Sequence, residues 1–176
     1  MIPMKRKLIY RLCALLLLAA CAASCQKDEK EDRQRKSLED YITRTLHAPI
    51  DEQDGVYFVL VDTSAITPPV WVERGDRVEF IYLAWSLGGA VFATNDDALA
   101  EVHGLVPTPT SEVRVGSGAL ISGLDRGLQR MALGDHGLIL FPFTLGYGAE
   151  EHVGLVKPES ALIFEVLVTK VNGATY

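Results

Sequence analysis

The chain's hydrophobic positions change texture twice. An unbroken apolar run, Leu12 to Ala20, lies near the start and gives way to small residues. Residues 26 to 36 are then almost all charged or amide side chains. After them Leu38, Tyr41, Ile42, Thr45 and Leu46 recur at the spacing of one helix face, with Ser37 placed as an N-cap and His47-Ala48-Pro49 as a terminator. From Val56 onward the period shortens to that of strands. Val56 to Val61 is an apolar β run, and Thr67-Pro68-Pro69 breaks it. Arg74-Gly75-Asp76 reads as a turn feeding a strand from Arg77 to Trp85, and Gly88-Gly89 punctuates a hairpin before Ala90 to Thr94. Residues 95 to 110, with Pro107 and Pro109, read as irregular, and Glu112 to Val115 as a short strand.

One later segment is helical. Leu120, Leu124, Leu128 and Met131 form a stripe, with Asp125, Arg126, Gln129 and Arg130 opposite. Ser122 fits the cap of this helix and Gly134 its C-terminal left-handed position. Leu138 to Phe141 is a buried-type strand. Ser160 to Val171 is the longest strand, with Leu162, Phe164, Val166 and Val168 on one face. The pattern predicts an α+β domain: an antiparallel sheet built from both ends of the chain, with one helix packed across it.

Composition changes this picture at the N-terminus. The 176 residues carry 17 basic and 23 acidic side chains, a net charge of −6, which argues against a nucleic-acid partner. Lys5, Arg6, Lys7 and Arg11 precede residue 25 with no acid among them, so the remainder is more acidic still. Basic residues, an apolar run and then small residues are the layout of a secretory signal over residues 1–24. Leu18-Ala19-Ala20-Cys21 and Ala22-Ala23-Ser24-Cys25 both resemble a bacterial lipobox, in which the cysteine is acylated. Cys21 has the better leucine. Cys25 has the better sequel, since Gln26-Lys27-Asp28-Glu29 resembles the lysine–acidic sorting signal of surface-exposed lipoproteins. We assign the anchor to Cys25, with Cys21 as the alternative. The expected localisation is extracytoplasmic, lipid-anchored to the outer membrane and exposed at the surface. More than one acyl chain makes such anchoring stable.

Residues 25–36 then read as an acidic, solvated tether, because they lack the apolar surface to fold alone. Residues 37–54 read as a short helix and turn, dispensable for folding, and 55–173 as the domain. The helical stripe suits docking on the domain's own flank or a dimer contact.

Catalytic templates mostly fail in the domain. Cys13, Cys21 and Cys25 are the only cysteines, so the domain has no thiol nucleophile and no Cys-type zinc site. Ser86 lacks the first glycine of a nucleophile elbow, and Gly116-Ser117-Gly118 lacks the rest of a phosphate loop. His47, His103, His136 and His152 lack metal-ligand spacing, so no metal is expected. What remains is aromatic. In Leu145-Gly146-Tyr147-Gly148-Ala149 a tyrosine between glycines suits a loop presenting a phenol.

Met131 to Val171 resembles the C-terminal half of FKBP-type peptidyl-prolyl isomerases. The residues that carry the likeness are Met131-Ala132-Leu133-Gly134-Asp135, Phe141-Pro142, the Tyr147 loop, His152-Val153-Gly154-Leu155-Val156-Lys157-Pro158 and Ala161 to Val166. Upstream, Leu120 to Leu124 is similar to the family's entry into its helix, and Arg74-Gly75-Asp76, Tyr82 and Gly89 to Phe92 to its first hairpin. The resemblance implies a twisted antiparallel sheet wrapped round one short helix and proline-containing polypeptide clients, with no cofactor. It implies a pocket whose catalytic walls are Tyr82, Phe92, Ile121, Tyr147 and Phe164. Leu120, Leu155 and Val156 would complete the substrate-binding surface, with Leu124 as floor and His152 over the rim. One departure matters. The family's aspartate after the phenylalanine, which accepts a hydrogen bond from the tyrosine matched by Tyr82, is Ala93 here. Asp96 stands three residues on. Two functions therefore follow: a prolyl isomerase of reduced activity that assists folding of extracytoplasmic proteins, or a catalytically impaired lipoprotein that binds apolar or proline-containing segments.

Overall fold

The structure is a computed structural model and describes residues 28–109, 112–149 and 156–176. Residues 1–24, read above as a signal and including Cys21, lie outside these residues, as do Cys25, His152 and Leu155. Helix α1 covers residues 28–44. Strands β1 (Glu52–Gln53), β2 (Val56–Asp62), β3 (Arg77–Ser86) and β4 (Val91–Thr94) follow, then helix α2 (Asp97–His103), β5 (Val113–Arg114) and helix α3 (Ser122–Leu128). Strand β6 (His136–Phe141), a 3-10 turn (Phe143–Leu145), β7 (Leu162–Val171) and β8 (Ala174–Thr175) complete the chain. The strands form one antiparallel sheet in the order β1-β2-β6-β7-β3-β4, with β5 on β3 and β8 on β7. The long central strands β3 and β7 pair from Val78 with Val171 to Ser86 with Leu162.

Alternation along β7 gives the sheet two apolar faces. Leu162, Phe164, Val166 and Val168 join Phe80, Ile139, Phe141, Leu124 and Leu128 in the main core beneath α3. Two glycines let α3 lie close on β6. A Cβ on Gly123 would stand 2.2 Å from the Phe141 ring, and one on Gly127 2.2 Å from Ile139. The opposite face carries Ile163, Leu138, Leu140 and Tyr57, and α1 covers them with Leu38 and Ile42, both fully buried.

Three helices stand among the described residues, where two were expected, one at 37–46 and one within the domain. The segment read as a solvated tether is helical from residue 28. Its Glu, Lys, Gln and Arg residues are good helix formers, and the i,i+4 ion pair Glu31–Arg35 supports it at 2.9 Å. Ser37 is therefore no cap but a mid-helix residue, its hydroxyl donating to the Arg33 carbonyl at 3.0 Å. The stripe of α1 docks on the domain's own flank rather than projecting from it, and there it closes a second core. Helix α2 occupies part of the stretch read as irregular. Asp96 caps its start, accepting from the Leu99 N–H at 2.9 Å, and Gly104 ends it in the left-handed region at φ 65°. Helix α3 starts at Ser122 behind the N-cap Ile121 and ends at Leu128. Gly134, at φ 84°, serves the turn into β6 rather than the helix end, and its N–H donates to the Val168 carbonyl at 2.8 Å.

Candidate active site: an aromatic cleft between helix α3 and the sheet

Each wall of the cleft comes from a different element. Tyr82 projects from β3 on the same face as Phe80 and Ala84, and Phe164 from near the start of β7. Phe92 is placed by a β-bulge. Ala84 pairs with Ala93 and Trp85 with Val91, which leaves Phe92 as the extra residue. A bulge re-aims a side chain, and here both Phe92 and Ala93 pack on the main core. Leu120, Ile121 and Leu124 come from the start of α3, with Ile121 extended at φ −62° and ψ 145°. Tyr147 follows the 3-10 turn, and Val156 is buried in the main core.

The rings meet one another in a single group. Phe164 is the hub, with centroids 5.8 Å from Tyr82, 6.0 Å from Phe92 and 5.8 Å from Phe141. The Phe92 contact is edge-to-face at 80°, and the Phe141 contact is stacked at 17°. Phe92 in turn meets Tyr147 edge-on at 6.1 Å. Tyr82, Phe92, Leu120, Ile121, Leu124, Tyr147, Val156 and Phe164 thus form one contiguous cluster. Sequence reasoning quoted Phe141 as a motif residue but did not place it behind the cleft, where it backs Phe164.

The two phenols differ in setting. Burial pushes the Tyr147 hydroxyl above the ordinary tyrosine range, and the nearby Tyr82 phenol adds to this. Tyr147 therefore keeps its proton, and its capacity to donate, well beyond neutral pH. Tyr82 is held by its backbone as well as its ring. Its N–H donates to Asn95 Oδ1 at 2.8 Å, and its carbonyl accepts from Thr94 Oγ1 at 2.6 Å. Asn95 Nδ2 donates to the Phe80 carbonyl at 2.7 Å, so two side chains continue the ladder where β4 stops. The Tyr82 hydroxyl donates to Thr108 Oγ1 at 3.1 Å, and the Thr108 N–H is fixed on the Thr94 carbonyl at 2.8 Å. Asp96 does not replace the family's carboxylate, because its Oδ1 caps α2. A neutral hydroxyl has taken that role, a partner that sequence reasoning did not find in a loop 26 residues away.

Helix α3 thus lies on one face of an antiparallel sheet, with an aromatic cluster at the helix entry. Residues 69–169 match the FKBP-type peptidyl-prolyl cis-trans isomerase family. The chain belongs to that family. It is 33% identical over 103 residues to peptidyl-prolyl cis-trans isomerase FKBP9 of Mus musculus, a match covering 58% of this chain and 16% of that protein. It is 33% identical over 104 residues to FKBP10 of Homo sapiens, covering 59% and 16%. The match thus spans about a sixth of the length of these relatives. Among solved structures, the peptidyl-prolyl cis-trans isomerase of Pseudomonas syringae pv. tomato aligns at a TM-score of 0.60 and 23% identity, over 82% of this chain and 94% of that one. The wheat FKBP73 structure with three FKBP domains aligns at 0.57 and 22%, over 69% and 48%. These two likenesses support the fold.

Proposed function

We propose that this protein is a lipid-anchored, extracytoplasmic peptidyl-prolyl cis-trans isomerase of reduced activity, acting on proline-containing segments of polypeptide clients. The observation that carries the reading is the aromatic cluster itself, where Tyr82 and Phe92 meet Phe164, and Tyr147 meets Phe92, at centroid spacings near 6 Å.

The chemistry suits such a cleft. Rotation about a peptide bond faces a barrier of about 18–20 kcal/mol because planarity carries resonance. The planar amide is more charge-separated than the twisted one, so an apolar cleft solvates the planar form poorly and favours the twist. The Ile121 N–H at the head of α3 or the protonated Tyr147 hydroxyl holds the substrate carbonyl. Atoms are neither added nor removed, so the walls and one donor are sufficient. Activity is reduced because Tyr82 is oriented by a neutral acceptor, and a neutral hydrogen bond contributes about 0.5–1.5 kcal/mol against about 1.5–3 for one to a charged group.

The test is a proline-isomerisation assay on the full chain, with Phe92→Ala as the cleft variant. A parent rate above the uncatalysed one, lost in Phe92→Ala, supports the reading. A parent at the uncatalysed rate that still binds proline peptides moves the protein to the second reading, a binding lipoprotein on the same fold, which Ala93 favours. The anchor is tested separately by acyl labelling in cells. Cys25→Ala should abolish labelling. Loss only in Cys21→Ala moves the anchor to Cys21, and labelling that survives both changes refutes it.

A further inference from the structure

We propose that α1 latches the loop bearing Tyr147, and that Gln34 is the positioning residue of this latch. The proposal rests on the isomerase reading of the cleft above and adds a control point outside the family-matched region, which begins at residue 69.

The side-chain amide of Gln34 spans both roots of the loop. Its Oε1 accepts from the Phe143 N–H at 2.9 Å, and its Nε2 donates to the Glu159 carbonyl at 2.6 Å. The orientation is unambiguous, because a backbone N–H only donates and a carbonyl only accepts. Each root then reaches inward. The Phe143 carbonyl accepts from the N–H groups of Gly146 and Gly148, both at 3.0 Å, the two residues flanking Tyr147. The Glu159 N–H donates to the Gly148 carbonyl at 2.8 Å. Gln34, Phe143, Gly148 and Glu159 thus close a ring of hydrogen bonds around the base of Tyr147.

Glu159 shows what the latch holds. It sits in the left-handed region at φ 55°, which costs a non-glycine residue energy and persists where the surroundings over-determine it. Its carbonyl is held by Gln34, its N–H by Gly148, and its carboxylate by an ion pair with Lys30, one turn before Gln34 on α1. A domain core needs none of these contacts, since α1 is already fastened by Leu38 and Ile42. What these contacts set is the path from Phe143 to Gly148, and through it the position of the Tyr147 phenol against Phe92.

The experiment uses the full chain and three variants: Gln34→Ala, the same change combined with Glu159→Gly, and Thr43→Ala as an exposed control on α1. The readouts are the isomerase kcat/KM, the ring-carbon resonances of labelled tyrosine at position 147, and thermal unfolding. Gln34→Ala should lower kcat/KM by about 3-fold or more, with about 160-fold as the limit if both lost hydrogen bonds acted wholly on the transition state. It should shift the Tyr147 signals while the unfolding transition stays cooperative. Adding Glu159→Gly should recover part of the loss, because glycine holds a positive φ without the carbonyl contact. Thr43→Ala should change neither rate nor signal. Parent-like rate and Tyr147 signals in Gln34→Ala overturn the latch. A parent with no isomerase activity overturns the function reading instead, and the Tyr147 signals alone then decide the latch: shifted in Gln34→Ala they support it, unshifted they refute it.

Discussion

Ala93→Asp should raise kcat/KM, and the structure sets a ceiling on how far. Ala93 lies on β4 opposite Ala84 and packs on the same core as Tyr82. In the parent the Tyr82 hydroxyl donates to Thr108 Oγ1 at 3.1 Å. Replacing that neutral acceptor by a carboxylate exchanges about 0.5–1.5 kcal/mol for about 1.5–3. The difference is at most about 2.5 kcal/mol, which corresponds to about 70-fold in rate at 1.36 kcal/mol per tenfold. The observed gain should fall below this, because a carboxylate at a half-buried position loses hydration and because part of the bond acts on ground-state shape. Binding of the macrolide inhibitors of the family should tighten in parallel. Thr108 provides the internal control. Thr108→Val should lower the parent's rate, since it strands the Tyr82 hydroxyl. In the Ala93→Asp background the same change should matter little, because the carboxylate has taken the phenol. The assay is protease-coupled isomerisation of a proline peptide, with thermal unfolding recorded for every variant. An Ala93→Asp protein that is folded and no faster than its parent refutes the reasoning. Equal Thr108→Val penalties in both backgrounds refute the claim that the two acceptors compete for Tyr82.

Other perturbations probe the frame around the cleft. Leu38→Ala or Ile42→Ala should each cost about 2–5 kcal/mol by chemical denaturation, because both side chains are fully buried in the second core; losses below 0.5 kcal/mol would return α1 to a loose flank. Gly123→Ala should destabilise by about 1–3 kcal/mol despite its better helix propensity, because the new methyl meets the Phe141 ring at 2.2 Å, and kcat/KM should fall as Phe141 is pushed against Phe164. Tyr147→Phe should lower kcat/KM less than Phe92→Ala does, with the parent's rate flat from pH 6 to 9, because burial holds the phenol proton. Tyr57 is pushed up to about 12 by burial and by its hydrogen bond to Glu39. A raised acid binds its proton more tightly when folded, so its contribution is constant below pH 10 and is lost as pH rises from 10 to 12; Tyr57→Phe should flatten that loss in alkaline unfolding curves.

The cleft residues were named through the family resemblance, which rests on local sequence signals. Phe92 follows a double glycine, Tyr147 lies between glycines, and Phe164 sits on the longest alternating run. The partners that orient these rings were not legible. Thr108 reaches Tyr82 across 26 residues, and no period or turn signal marks a threonine as the acceptor for a phenol. The stretch holding α2 carried both end signals, Asp96 and Gly104, but Pro107 and Pro109 just beyond outweighed a helix of only seven residues. Asp96 was a candidate for the missing carboxylate on sequence distance alone. Its side chain is committed to the Leu99 N–H, which sequence distance cannot reveal.

The larger gap concerned α1, and its cause is physical. Composition scores the charged segment as unable to bury surface, and taken alone it buries little. A strand pattern read one face at a time also conceals that β7 is apolar on both faces, with Phe164 toward α3 and Ile163 toward α1. A sheet buried on both faces needs a cover on each, and among the described residues α1 supplies the second. Once Leu38 and Ile42 fix α1 there, its charged turns come into register with the loop roots, and Gln34 meets Phe143 and Glu159. The polar residues that made the segment look like a tether thus become its contacts with the loop that carries Tyr147.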